Sequence, residues 1–287
     1  MTQKILLDTD IGSDIDDAVC LAYLLANPEC ELLGITTVSG EGQYRAQLAS
    51  ALCENAGQEI PIYIGAEIPL VVEQQQFHAP QQSALLSWKH REVFPSAEAI
   101  FFMQDIIHKN PGEIVLLTIG PLTNVALLFR VDPSIPSLLK GLVMMCGVFE
   151  AGGKEWNALL DPHAASIVYQ AEISHHRSIG LDVTRKVTMP AEKVRIQFQS
   201  SILQPVLDFA EVWFEDKDEI TFHDPLAAAT IFQNGICQFK RGKVSVEIFE
   251  PEELGKTLWE PGVDGPHEIA NKVNPEPFFD HFFRILS

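Results

Sequence analysis

The chain lacks long hydrophobic runs: nothing in it approaches the roughly 20 apolar residues that a membrane span needs. Basic residues are scarce. Lys and Arg number 20 against 39 Asp and Glu, a formal net charge of −19. Such a surface repels phosphate backbones and anionic lipid, so neither nucleic acid nor a membrane surface is an expected partner. Cysteine is sparse too, with five residues at positions 20, 30, 53, 146 and 237 and no C-x-x-C pair. That pattern excludes a disulfide framework or a zinc site and fits reduced, mostly buried thiols in a cytoplasmic protein. No cleavable signal pattern precedes the strand-like Ile5-Leu6-Leu7. Linkers, repeats and low-complexity segments are also missing, so one domain over residues 1–287 is expected.

What is present is an alternation of short apolar runs with helix-period segments. Strands are expected at Ile5–Leu7, Leu32–Val38, Ile62–Ile64, Ile114–Ile119, Leu142–Met145 and Ser178–Val183. Helices are expected at Ala18–Ala26, Tyr44–Ala56, Ala97–His108, from Leu122, and at Asp161–Tyr169, which Asp161-Pro162 opens as cap and first turn,. Past Lys240 the pattern becomes a strand at Val244–Phe249, a polar loop including Leu258–Asp264, and an aromatic helix at Pro277–Leu286. Residues 71–93 are polar and weakly periodic, which suggests a surface loop or lid. The alternation implies an α/β protein with a mainly parallel sheet covered by helices on both faces. Periodicity alone leaves both a doubly wound sheet and a barrel open.

The densest chemical signal lies between the first strand and first helix, where Asp8, Asp10, Asp14, Asp16 and Asp17 crowd into ten residues. Helix capping explains one or two of them. Converging carboxylates repel unless a cation neutralises them, and oxygen-only ligands favour Ca²⁺ or Mg²⁺ over zinc. An EF-hand loop shares Asp8, Asp10 and Gly12, but Val19 stands where its twelfth-position Glu belongs,. A haloacid-dehalogenase-like phosphatase also begins with Asp-x-Asp after its first strand, one Asp being the nucleophile. Gly12 stands where that pattern expects Thr or Val.

Asp8-Thr9-Asp10…Asp16-Asp17-Ala18 resembles the N-terminal signature of the inosine–uridine nucleoside hydrolase family, in a form with two extra residues before the Asp-Asp pair. Four later segments resemble the same family in order: Ile35–Gly40, Ile119–Asn124, Glu155-Trp156-Asn157 with Asp161–Ala165, and Phe222–Leu226. The resemblance implies a doubly wound, Rossmann-like sheet and calcium-dependent hydrolysis of ribonucleosides to base plus ribose. It makes Asp10 a calcium ligand and the general base for water, with Asp17, Asp224 and the carbonyl of Ile119 as further ligands. Asp16, Glu155 and Asn157 then bind the ribose hydroxyls, and deoxynucleosides are expected to be poor substrates. His223 is the natural proton donor to the leaving base, since imidazole titrates near neutrality. A homo-oligomer, dimer or tetramer, is also implied. The other reading is a non-catalytic member that binds a nucleoside or ribosyl compound without turning it over.

Departures from the family pattern bear on specificity. Glu41 replaces a common Asn, Gly152-Gly153-Lys154 stands in a shortened loop, and Asp182-Val183-Thr184-Arg185 carries Arg where the family has His. Asp14 has no counterpart in the shorter form. His78, Trp88, His90 and Trp259 are the candidates for base contact, Asn124 is expected to be a structural cap, and Trp156 and Met145 are expected as pocket wall or core.

Overall fold

The computed structural model describes residues 2–287. Its strands are β1 (Gln3–Thr9), β2 (Cys30–Thr37), β3 (Ile62–Ile64), β4 (Ile114–Thr118), β5 (Gly141–Met144) and β6 (His176–Ser178), then β7 (Thr188–Pro190), β8 (Glu219–Thr221), β9 (Cys237–Val246), β10 (Thr257–Pro261) and β11 (His267–Val273). Nine of them form one sheet in the order β10-β9-β11-β6-β5-β4-β1-β2-β3, while β7 and β8 pair as a separate antiparallel ribbon. From β3 to β6, and on to β11, neighbouring strands run parallel. The β9 pairings are antiparallel and close that end of the sheet. The 3-2-1-4-5-6 order that begins at its β3 edge is that of a doubly wound fold, which settles the choice against a barrel,.

Strand composition explains the layering. Successive residues of a strand face opposite sides. Ile5 and Leu7 accordingly join Ile35, Val115 and Leu117 beneath the helices Asp16–Ala26, His223–Phe232 and Pro275–Leu286. Leu6 turns the other way and joins Leu116, Leu142 and Met144 beneath Ala99–Lys109, Thr123–Val131 and Pro162–Tyr169. A strand buried on both faces reads as an unbroken apolar run, which is why Ile5-Leu6-Leu7 stood out.

The structure corrects two sequence expectations. Of the segment expected to be a strand at Ser178–Val183, only Ser178, the last residue of β6, is extended, and Leu181–Thr184 is a helical turn. Asp182 holds that turn by accepting from the backbone N–H groups of Phe149, Glu150 and Ala151 at 2.7–2.8 Å. The expected polar loop Leu258–Asp264 begins instead as β10, paired to β9 through Leu258↔Ser245 and Trp259↔Val244.

The strand order reverses at β1 and β4, where connections leave toward opposite faces. In open α/β sheets ligands bind outside the carboxyl ends of the strands at this switch point. Asp10 follows β1 and Ile119 follows β4, and the two ends are tied by Ile119 N–H donating to the Asp8 carbonyl at 2.9 Å. The fold thus brings together the two segments that carry the densest chemistry.

Candidate active site

A cleft of about 630 Å³ opens at the switch point. Its lining includes Asp10, Asp14, Asp16, Asp17, Ile119, Glu155, Asn157, His223 and Asp224. All eight residues expected to form the site therefore converge from four separate segments. Met145 and the half-exposed Trp156 serve as wall, as expected.

The turn carrying Asp10 is held by local chemistry. Gly12 has φ +115°, and a Cβ there would lie 2.7 Å from Leu48 Cδ1 and 2.9 Å from Ala79 Cβ, so glycine alone fits,. Thr9 Oγ1 accepts from Ile11 N–H at 3.1 Å and donates to Asp17 Oδ1. Arg45, wholly buried, reaches under the turn. Its guanidinium donates to the carbonyl of Asp10, to Ile11 O at 3.1 Å, to Ser13 Oγ at 3.0 Å, to Gly40 O at 2.8 Å and to His78 O at 3.1 Å. Gln76 donates to Asp10 Oδ2 and accepts from Trp156 Nε1 at 2.8 Å, linking the 66–79 loop to the opposite wall. Gly120 completes the seat: a Cβ there would come within 2.7 Å of Asp10 Oδ1.

Asp16, Asp17 and Asp224 present oxygens within 4.8 Å of one another, all buried. Asp16 Oδ2 also accepts the Asp224 N–H at 3.0 Å, which fixes the start of the helix His223–Phe232 against that of Asp16–Ala26. Loss of water and then mutual repulsion push all three carboxyls well above the ordinary carboxylate range,. Burial raises Asp10 as well, against the opposing charge of Arg45. Asp14 is pushed up to about 6, by withdrawal from water first and by Asp10 among its neighbours. An all-oxygen set of this kind suits a hard dication, whose charge is what lets every member ionise together.

Glu155 and Asn157 have structural duties that sequence reading did not reveal. Glu155 caps the helix Trp156–Leu160, accepting from Asn157 N–H at 2.6 Å, and from Gly147 and Ala158 N–H at 3.0 Å. Asn157 donates to Ile119 O at 2.9 Å and to Met145 O at 3.1 Å, which leaves its Oδ1 as the free polar atom. Ile119 O, the expected backbone ligand, is thus held in place by Asn157.

His223 departs from the reason given for its role. Burial, and then the charge of Arg185, lower its ring to about 4, so it is neutral at pH 7. Its Nδ1 is engaged by Thr184 Oγ1 at 2.7 Å. The phosphatase reading also fails here. Asp8, which would be its nucleophile, is fully buried and absent from the cleft lining, with Oδ1 accepting from Thr36 and from Asn124 Nδ2 at 2.7 Å.

Several expectations about specificity are corrected. His78, Trp88, His90 and Trp259 do not line the cleft, and Glu41 lies outside it. Glu41, at φ +60°, accepts from Ala79 N–H at 2.7 Å and pairs with His78 Nδ1 at 3.1 Å, pinning the loop instead. The walls are built from Gln76, Lys154, Leu181, Arg185, Trp213 and Lys217. Asn124 is a cross-brace, not a cap: it donates to Asp8 and to Thr37 O and accepts from Ala66 N–H.

The family description "Inosine-uridine preferring nucleoside hydrolase" matches residues 5–280. The chain belongs to the inosine-uridine preferring nucleoside hydrolase family. Membership makes it a ribonucleoside N-glycosidase, an enzyme that hydrolyses the bond between base and ribose. An inosine-uridine preferring nucleoside hydrolase of Leishmania major is 30% identical, covering 100% of this chain and 96% of its own length. Probable uridine nucleosidase 1 of Oryza sativa subsp. japonica is also 30% identical, over 91% of this chain and 86% of its own. The nucleoside hydrolase fold is shared with the purine-preferring ribonucleoside hydrolase from Gardnerella vaginalis, with TM-score 0.86, 21% identity, and 99% of this chain and 98% of that one covered.

Proposed function

We propose that the cleft is a calcium-dependent ribonucleoside hydrolase site, releasing ribose and free base, with Asp10 as general base. The observation carrying this reading is the convergence of Asp10 with the buried Asp16, Asp17 and Asp224 at the switch point. Asp10, Asp17, Asp224 and the Ile119 carbonyl would hold the ion. A bound Ca²⁺ supplies positive charge that neutralises the carboxylates and orients water and ribose hydroxyls.

The chain's own residues do the rest. Asp10 takes the proton of the attacking water as the N-ribosyl bond opens through an oxocarbenium-like transition state. Gln76 and the close approach of Gly120 fix where that carboxylate stands, and Arg45 holds the Asp10 backbone. Asp16, Glu155 and the free Oδ1 of Asn157 accept from ribose hydroxyls, so a 2′-deoxy substrate leaves a buried acceptor unpaired. His223, neutral, presents Nε2–H to the departing base while Thr184 donates to Nδ1.

This reading includes a dimeric or tetrameric cytoplasmic enzyme, checked by sedimentation and fractionation. Its test is ribose release from inosine, uridine, cytidine, adenosine and guanosine, with calcium and with EGTA. Calcium-dependent release from at least one of them is expected. Ribose release that persists after exhaustive chelation refutes the calcium assignment. Binding of a nucleoside without its consumption supports the non-catalytic reading.

A further inference from the structure

Eight of the 20 Lys and Arg residues pair with a carboxylate among the described residues, so a free cation is informative here only through its place in the fold. Lys154, Arg185 and Lys217 all line the cleft. Among the described residues none of the three enters an ion pair or donates a side-chain hydrogen bond, although Lys4, Lys89, Lys240 and Arg195 each pair with a carboxylate at 2.5–2.7 Å. They come from three separate segments: the loop before Glu155, the end of the turn Leu181–Thr184, and the connection into β8.

Their placement separates two ends of the cleft. Arg185 follows Thr184, whose hydroxyl meets His223 Nδ1 at 2.7 Å. Lys217 Nζ sits 5.7 Å from the ring centre of Trp213, and both residues line the cleft,. Lys154 adjoins Glu155 instead, on the side assigned to ribose. The carboxylates follow β1 and open the helix His223–Phe232, whereas the free cations lie on surrounding loops.

We propose that the leaving-group end of this cleft takes a base bearing an anionic substituent, a carboxylate above all, recognised by Arg185 and Lys217 while Trp213 stacks on the ring. The proposal rests on the hydrolase reading and names its substrate class. Two unpaired cations beside the departing base would otherwise face water across from a neutral ring, and their attraction for an anion is directional only where substrate brings one. A substrate phosphate on the 5′ oxygen has similar charge, but it would lie toward Lys154.

The test compares kcat/KM of the calcium-loaded enzyme on 5-carboxyuridine and 5-carbamoyluridine, nearly isosteric nucleosides differing by one charge. Uridine, inosine and uridine 5′-phosphate complete the panel. The carboxylate is expected to be favoured by about tenfold at low ionic strength, with the ratio shrinking in 0.5 M salt as screening grows. In Arg185→Gln/Lys217→Gln the ratio falls toward one, and in Lys154→Gln it persists. The ratio is the readout, so a general loss of activity in a variant does not disguise the result. Uridine or inosine hydrolysis with no preference for the carboxylate overturns this proposal alone. Preference for the 5′-phosphate, lost in Lys154→Gln, overturns the assignment to the base. Failure to hydrolyse any nucleoside overturns the hydrolase reading and this proposal with it.

Discussion

Arg45 sits inside the helix Gly42–Asn55, where a lone arginine in a polar sequence reads as solvated surface. The structure buries it and spends its donors on four backbone carbonyls and one hydroxyl around the Asp10 turn. Its partners lie 5 to 35 residues away, so no local pattern reports them. Arg45→Met strands those buried acceptors, each costing about 1–3 kcal/mol, and is expected to lower unfolding free energy by at least about 3 kcal/mol. Urea titration checks this, and a loss below about 1 kcal/mol would mean the bonds are dispensable. The second residue-scale case is His176, buried with neither ring nitrogen bonded and stacked 5.5 Å from Tyr169. Burial lowers it to about 3, so below the unfolded value of 6.5 the unfolded chain takes up a proton that the folded one refuses,. Stability therefore drains as pH falls from 6.5 toward 3, by about 1.4 kcal/mol per pH unit for this one group. Wild type minus His176→Leu should show that slope in denaturant titrations from pH 7 to 5. A pH-independent difference would assign the acid sensitivity elsewhere.

Elements position the chemistry through close approach. The loop after β4 meets the loop after β1 so tightly that Gly120 has no room for a methyl group beside Asp10 and Val38. Gly120→Ala should therefore displace the Asp10 carboxylate and lower kcat by roughly ten- to a hundredfold, with Tm little changed, since misplacement of this order is costly to catalysis. Unchanged kcat would show that Asp10 has slack. Much of this layer was legible in sequence: Asp161-Pro162 does open its helix, with Asp161 accepting from Ala164 N–H at 3.0 Å. The aromatic C-terminal helix is also where expected. What was not legible depends on long-range pairing. β10 reads as a polar loop because its Trp259 and Glu260 gain their order only from β9. The base-contact candidates failed for a related reason. Trp88 donates to Asp208 at 2.9 Å and His90 bonds its own loop, so a polar, aromatic-rich segment faces away from the cleft.

At the scale of the whole molecule, one switch point organises the function. Parallel strands carry Asp10 and Ile119 to the same edge, and the helix starting at His223 brings Asp224 to Asp16 across 208 residues. Burying these carboxylates costs stability that the proposed dication would return by mass action. At a calcium concentration a hundredfold above Kd the fold gains about 2.7 kcal/mol, a rise of several degrees in Tm over the EGTA-treated protein. Identical melting curves would remove the metal from the account. The convergence itself was legible, because four of the five co-linear motifs contain these positions. The opposing walls were not, since Lys154, Arg185, Trp213 and Lys217 belong to loops whose meeting depends on the complete fold.

The central claim is that Asp10 activates the water that cleaves the N-ribosyl bond. Its most direct test is single-turnover ribose release by wild type and Asp10→Asn at saturating calcium, with nucleoside binding and calcium occupancy measured on the same samples. The account predicts that the variant still binds nucleoside but loses roughly a hundred- to ten-thousandfold in rate, the range of a lost general base. Ribose release at near-normal rate from a metal-loaded Asp10→Asn would contradict it.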